Sequence, residues 1–237
     1  MISYRHIFFD LDHTLWDFEN NARHVLRQLY QQFLSMSQFS EQRFIDVYEA
    51  VNQQLWIRFN QGEIDKHQLR AKRFDQTFTA LGVDPAQFSL SSQQFDEWFL
   101  EHCSQMSGVF PGCHQCLAQL HGHFQLHLIT NGFSETQYNK LRSANLNSYF
   151  DRVFISDELG MHKPNPDIFE HAMVVVGATA SECLMVGDSL EADIAGARGV
   201  GIDQVWFNPK SQASSEPMTY QIQQLSQLPP WLGIDHG

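Results

Sequence analysis

Cysteine is scarce in this sequence, basic side chains are outnumbered, and no long apolar run occurs; each shortage argues against a class of protein. Four cysteines in 237 residues, Cys103, Cys113, Cys116 and Cys183, are too few and too irregularly placed for a disulfide framework, so reduced thiols are expected. Cys113 and Cys116 have the CxxC spacing of a metal or redox pair, but no second pair stands at finger-like distance. Following Pro111-Gly112, the segment reads instead as the first turn of a helix. Lys and Arg number 15 against 27 Asp and Glu, and the formal net charge of −12 would repel a polyanion, which argues against a polymeric nucleic acid partner. A small phosphorylated metabolite is compatible with that charge, because one metal ion, one lysine and a few backbone amides hold it locally. No stretch approaches the run of about 18 apolar residues that spans a bilayer, and Ile7-Phe8-Phe9 stops at Asp10 without a signal-peptide layout. No membrane association and a cytoplasmic location are expected.

Hydrophobic residues nevertheless make up 43% of the chain, enough for a packed interior, and the length suits one domain with an inserted module. Short apolar runs ending in Asp, Thr or Gly predict buried parallel strands at His6–Asp10, Leu126–Thr130, Val153–Ser156, Leu184–Asp188 and Gln204–Asn208. Helical segments separate most of them, as parallel crossovers require. The expected fold is α/β, a Rossmann-like parallel sheet flanked by helices, whose ligands bind beyond the carboxyl ends of the strands. Between the first and second strands lies a long insertion with helical periodicity: a helix near Asn20–Phe33 and stripes at Phe44, Val47, Val51 and Leu55, at Phe74, Phe78 and Leu81, and at Phe95 and Phe99. A four-helix bundle inserted into the core follows. The expected division is 1–15 with 108–237 for the core and 16–107 for the bundle. Pro209 to Pro217 reads as a surface loop, Ile222, Leu225 and Leu228 as a short docking helix, and His121, His123 and His127 as solvated or half-buried histidines outside any ligand motif.

Four clusters carry chemistry. Phe8-Phe9-Asp10-Leu11-Asp12-His13-Thr14 puts two carboxylates one residue apart at the mouth of a strand, where one can attack a phosphorus and the other handle protons. Ile129-Thr130-Asn131-Gly132 offers a hydroxyl and loop amides for phosphoryl oxygens. Gly160-Met161-His162-Lys163-Pro164 sets a lysine just ahead of a helix, where its charge can offset developing phosphate charge. Gly187-Asp188 ends a strand in a carboxylate suited to magnesium, with Asp193 five residues on. Singly, each has an ordinary alternative: two aspartates shape turns, Thr130 ends a strand, Lys163 is solvated, Asp188 caps the helix beginning near Ser189. Jointly, in this order, coincidence is remote.

Those four clusters resemble the motifs of the haloacid dehalogenase superfamily of phosphohydrolases, from about Phe8 to Ala195–Gly201. The resemblance implies Asp10 as nucleophile and Asp12 as general acid/base, with Thr130, Asn131 and Lys163 on the phosphoryl group. Magnesium would be held by Asp10, the Asp12 backbone carbonyl and Asp188, with Asp193 behind them. Asp12 favours a phosphatase over the dehalogenases, which lack an acid there, and His13-Thr14 looks more like the hydrolase pattern than the mutase one. An insertion directly after the first motif resembles the helical cap of the superfamily's first class. Val51–Trp56 with Gly62-Glu63-Ile64, Ile129–Phe133 and Ile155–Gly160 look like the bacterial pyrimidine 5′-nucleotidases of the YjjG type. A pyrimidine nucleotide substrate (UMP, dUMP, dTMP or analogues) is thereby implied; a monomer or homodimer is expected. Sugar phosphates or phosphoglycolate stand as alternative substrates, and a catalytically silent phospholigand-binding module as an alternative class. Leu55, Trp56 and Phe133 are read as core first and base-stacking partners second.

Overall fold

The structure is a computed structural model that describes residues 4–234. It divides into two compact units, Met1–Phe18 with Ser107–Gly237, and Glu19–Met106.

The first unit is built on a six-stranded sheet in the order β3-β2-β1-β4-β5-β6. Its strands are β1 (His6–Phe9), β2 (Gln125–Thr130), β3 (Arg152–Ile155), β4 (Cys183–Gly187), β5 (Asp203–Phe207) and β6 (Tyr220–Ile222). Every pairing is parallel, and β1 sits between β2 and β4, with Phe8 opposite both His127 and Met185. Parallel strands must be covered on both faces, which is why β1 and β4 are buried throughout and, His6 apart, apolar. Phe8, Ile129, Phe154 and Met185 pack against Ile168, Phe169 and Ala172, all on one later helix. Because strand order reverses at β1, the loops after β1, β2 and β4 open into a common crevice.

The second unit is helical. It holds α1 (Phe18–Leu29), which begins on the last residue of the first unit, a π-helical turn at Tyr30–Leu34, α2 (Glu41–Asn60), α3 (Lys66–Leu81) and α4 (Ser92–Ser104). Asp65 and Ser91 close capping boxes on α3 and α4, and Gly82 ends α3 in the left-handed conformation that glycine adopts without penalty. An aromatic core joins the helices: Phe74 lies within ring contact of Tyr48, Phe78, Phe95 and Phe99. The buried face of α2 differs from the apolar stripe in the sequence. Phe44, Ile45, Tyr48, Asn52 and Leu55 are buried while Val47 and Val51 are only half-buried. The face turns because Tyr48 belongs to a buried polar group in which its hydroxyl meets Arg73 at 3.5 Å and Arg73 pairs with Asp96 at 3.4 Å. Polar members of a core are invisible to an apolar count.

The remaining helices of the first unit are α5 (Cys113–His121), α6 (Ser134–Ser143), the single turn α7 (Ser156–Leu159), α8 (Pro166–Val176), α9 (Gly196–Gly199) and α10 (Leu228–Trp231). Cys113 and Cys116 open α5 as buried thiols, and burial pushes Cys113 up to about 12, which leaves it unreactive. Two sequence expectations need correction. Ile222 lies in β6, paired to Phe207, and the terminal helical turns come later, at Leu225–Gln227 and Leu228–Trp231. Three residues are too few for a periodicity to declare a strand, and only the open edge of β5 makes one. His127 is buried on β2, not half-solvated; its ring stacks on His6, with Nε2 3.1 Å from His6 Nδ1.

Among the described residues, no helix is long and apolar enough to cross a membrane.

Candidate active site

Three strand tips and two helix starts supply the site. β1 hands directly into Asp10, whose backbone N–H donates to Val186 O at 2.9 Å and so ties this tip to β4. The Asp10 side chain is buried, and Lys163 Nζ reaches its Oδ1 at 2.6 Å. The same Nζ reaches Asp193 Oδ1 at 2.6 Å, so one lysine, 1% exposed, bridges two carboxylates. Burial alone would push Lys163 down; Asp10 and Asp193 outweigh it and hold the amine well above its usual range.

Asp193 is fixed twice over. Its Oδ2 accepts the Ser189 N–H at 3.0 Å, and it lies where a side chain on residue 187 would stand: a Cβ there would be 2.2 Å from Oδ2. Gly187 is therefore required by close approach, not by backbone angle. Asp188, next along, does not cap the following π-helical turn Leu190–Ala195; Ser189 does, its Oγ accepting from Ala192 N at 3.0 Å. The Asp188 carboxylate instead accepts from Thr14 Oγ1 at 3.2 Å, while its backbone oxygen takes the Trp206 indole N–H at 2.8 Å.

Oxygens of Asp10, Asp188 and Asp193 all lie within 4.8 Å of one another. Burial, opposed by Lys163 and reinforced by the neighbouring carboxylates, pushes Asp10 up to about 7. Burial and the charges of Asp10 and Asp193 drive Asp188 well above the usual carboxylate range. Three acids with one lysine leave an excess of negative charge out of water, and a hard cation with oxygen ligands relieves it. The donor set, all carboxylate oxygen, fits magnesium.

Asp12 faces elsewhere, onto α6. Lys140 Nζ donates to its Oδ1 and Oδ2, both at 2.8 Å, and Gln137 Nε2 donates to Oδ2 at 3.0 Å. Gln137 also donates to the buried Thr130 Oγ1 at 2.6 Å, which leaves the Thr130 hydroxyl proton available to a ligand. Asn131 is committed to structure through its side chain: Nδ2 donates to Lys163 O at 2.8 Å and Oδ1 accepts from Lys163 N at 2.9 Å, clamping the lysine loop to the end of β2. Gly132 N donates to Ser156 Oγ at 3.1 Å. Of the residues singled out from sequence, Asp10, Lys163, Asp188 and Asp193 converge on one another directly, while Asp12 and Thr130 are joined through Gln137.

Gln137 and Lys140 go unnoticed in the sequence, and Thr14 reads there only as part of the first motif, not as a partner of Asp188. Gln137 and Lys140 stand three apart in a polar helix, a pattern shared with any solvated face, and only their burial sets them apart. Phe133 is buried at the start of α6, and Leu55 packs with Ile64 and Leu69, so both serve as core. Trp56 is half-buried against the same cluster.

The sequence profile described as haloacid dehalogenase-like hydrolase matches residues 4–201. The pyrimidine 5′-nucleotidase YjjG of Escherichia coli (strain K12) is 34% identical over 226 residues, which cover 94% of this chain and 95% of that protein. The pyrimidine 5′-nucleotidase PynA of Streptococcus pneumoniae (strain ATCC BAA-255 / R6) is 32% identical over 92% of this chain and 91% of its own. Among solved structures, that of the HAD-hydrolase YfnB from Bacillus subtilis bound to magnesium matches with a TM-score of 0.86 at 27% identity, covering 98% of this chain and 99% of that one.

Proposed function

Since the chain belongs to the haloacid dehalogenase-like hydrolase family, we propose that it hydrolyses pyrimidine nucleoside 5′-monophosphates such as UMP, dUMP and dTMP through an aspartyl phosphate on Asp10. The nucleotide substrate is supported by two nucleotidase relatives aligned over 94% and 92% of the chain. The observation that carries the chemistry is the buried Asp10 carboxylate held by Lys163 at 2.6 Å beside two further acids.

An Asp10 oxygen attacks phosphorus, and the bond to the ester oxygen breaks as Asp12 gives that oxygen its proton. Asp12 then takes a proton from the water that attacks the aspartyl phosphate, and the P–O bond to Asp10 breaks to return the carboxylate. Lys163, freed in part from Asp10 as the phosphoryl group arrives, pairs with a phosphoryl oxygen, and Thr130 Oγ1 and the Asn131 backbone amide donate to the others. Asp10, Asp188 and the Asp12 backbone carbonyl, backed by Asp193, would hold a magnesium ion, which supplies charge neutralisation between nucleophile and phosphate when bound. An acid at position 12 suits an alkoxide leaving group and has no purpose in displacing a halide. The helical unit Glu19–Met106 takes the place of a cap that selects the substrate.

A panel of phosphate esters assayed for phosphate release with magnesium tests the reading. Pyrimidine monophosphates are expected to lead. Faster turnover of a sugar phosphate or phosphoglycolate than of every pyrimidine monophosphate overturns the nucleotidase assignment, and no release from any ester overturns the enzyme.

A further inference from the structure

The grip on Asp12 is stronger than a loop carboxylate needs. Lys140 is buried, although it lies 128 positions along the chain, and both Asp12 oxygens accept from its Nζ at 2.8 Å. The amine is itself fixed in place, 4.8 Å from the Trp16 ring centroid and 5.6 Å from that of Phe18. Trp16 is rigid in turn, its N–H donating to Leu11 O at 2.8 Å and its O accepting from His13 N at 3.0 Å. Gln137, one helical turn before Lys140, spans Asp12 Oδ2 and Thr130 Oγ1 with a single Nε2. Burying an ammonium is costly, and a solvated lysine would serve stability better. What the arrangement supplies is direction: two donors fix the plane of the carboxylate, and the third contact ties that plane to a hydroxyl of the phosphate cradle.

We propose that Lys140 and Gln137 are positioning residues that hold Asp12 in the orientation from which it exchanges protons with the ester oxygen and then with water. The proposal rests on the acid/base role given to Asp12 above. In the first half-reaction the Asp12 O–H bond breaks as a proton passes to the leaving oxygen, and the carboxylate formed accepts the N–H bonds seen here. In the second, water's O–H bond breaks, its proton returns to Asp12, and one of those N–H contacts is released.

The test compares two esters that differ in their need for a proton. A nucleoside 5′-monophosphate leaves as an alkoxide and must be protonated; p-nitrophenyl phosphate leaves as a stable phenolate. In Lys140→Met, kcat/KM for the nucleotide is expected to fall at least about tenfold further than kcat/KM for the aryl ester, and the aryl reaction to slow after its first turnover as water attack on the phosphoenzyme lags. Lys140→Gln, which keeps a neutral donor, provides the same comparison if the methionine variant does not fold. Asp12→Asn separates the two levels of the argument. If it discriminates between the esters and neither Lys140 variant does, Lys140 is structural and the proposal fails alone. If Asp12→Asn lowers both esters equally, the role assigned to Asp12 fails and the proposal with it.

Discussion

Gly187→Ala is the most revealing small change available in this protein. The new Cβ would lie 2.2 Å from Asp193 Oδ2, 2.4 Å from its Cγ and 2.6 Å from its Cβ, where ordinary contact begins near 3.4 Å. Asp193 would have to retreat by about 1 Å, and it has nowhere free to go, because Oδ1 is held by Lys163 at 2.6 Å and Oδ2 by Ser189 N at 3.0 Å. Overpacking of this kind costs about 1–3 kcal/mol, and losing one charge-assisted hydrogen bond adds about 1.5–3, offset by about 0.5 from the stiffer unfolded chain. The expected loss is about 3 kcal/mol in urea denaturation, with phosphatase activity down by at least about tenfold as Lys163 follows Asp193 away from Asp10. The decisive arm is the double variant: in an Asp193→Gly background all three clashing atoms are gone, and Gly187→Ala should cost less than about 0.5 kcal/mol. Equal costs in the two backgrounds would refute the close-approach argument.

Asp10→Asn keeps volume and removes the nucleophile, so a folded protein with phosphate release reduced by about 1,000-fold or more is expected; substantial residual turnover contradicts the role. The buried His127 is held neutral, chiefly by burial and then by His6, which push it from 6.5 to about 4. The unfolded chain gains a proton as pH falls through 6.5 while the folded chain waits until about 4, so stability is full above that window and declines across it by about 3 kcal/mol. A His127→Phe variant should flatten this part of the stability profile, and an unchanged slope would be evidence against it. Magnesium should raise the thermal midpoint of the protein as made and much less that of Asp188→Asn, because only the folded state gathers the three acids; equal shifts would place the ion elsewhere.

Local chemistry made much of this molecule readable in advance. An apolar run of four or five residues that ends in Asp, Thr or Gly declares a buried parallel strand and its polar tip in the same stretch of chain, as at Phe9-Asp10, Ile129-Thr130 and Gly187-Asp188. The aromatic stripes of α3 and α4 are legible for a similar reason, since Phe74, Phe78, Phe95 and Phe99 recur at the helical period and are buried. On α2 the same reasoning misses, because Tyr48 is buried against Arg73 of α3, which pairs with Asp96 of α4, and a partner's position is not encoded by period.

What the sequence alone determined, then, is the order of strands and helices and the residues at the strand tips, because those follow from solvation and periodicity within a dozen neighbours. Tertiary structure alone decided who touches whom: that Lys140 grips Asp12 from 128 residues away, that Thr14 binds Asp188, that Gly187 makes room for Asp193, and that β6 completes the sheet edge. Each depends on a distance across the fold, set by the packing of the whole sheet rather than by the neighbours of either residue.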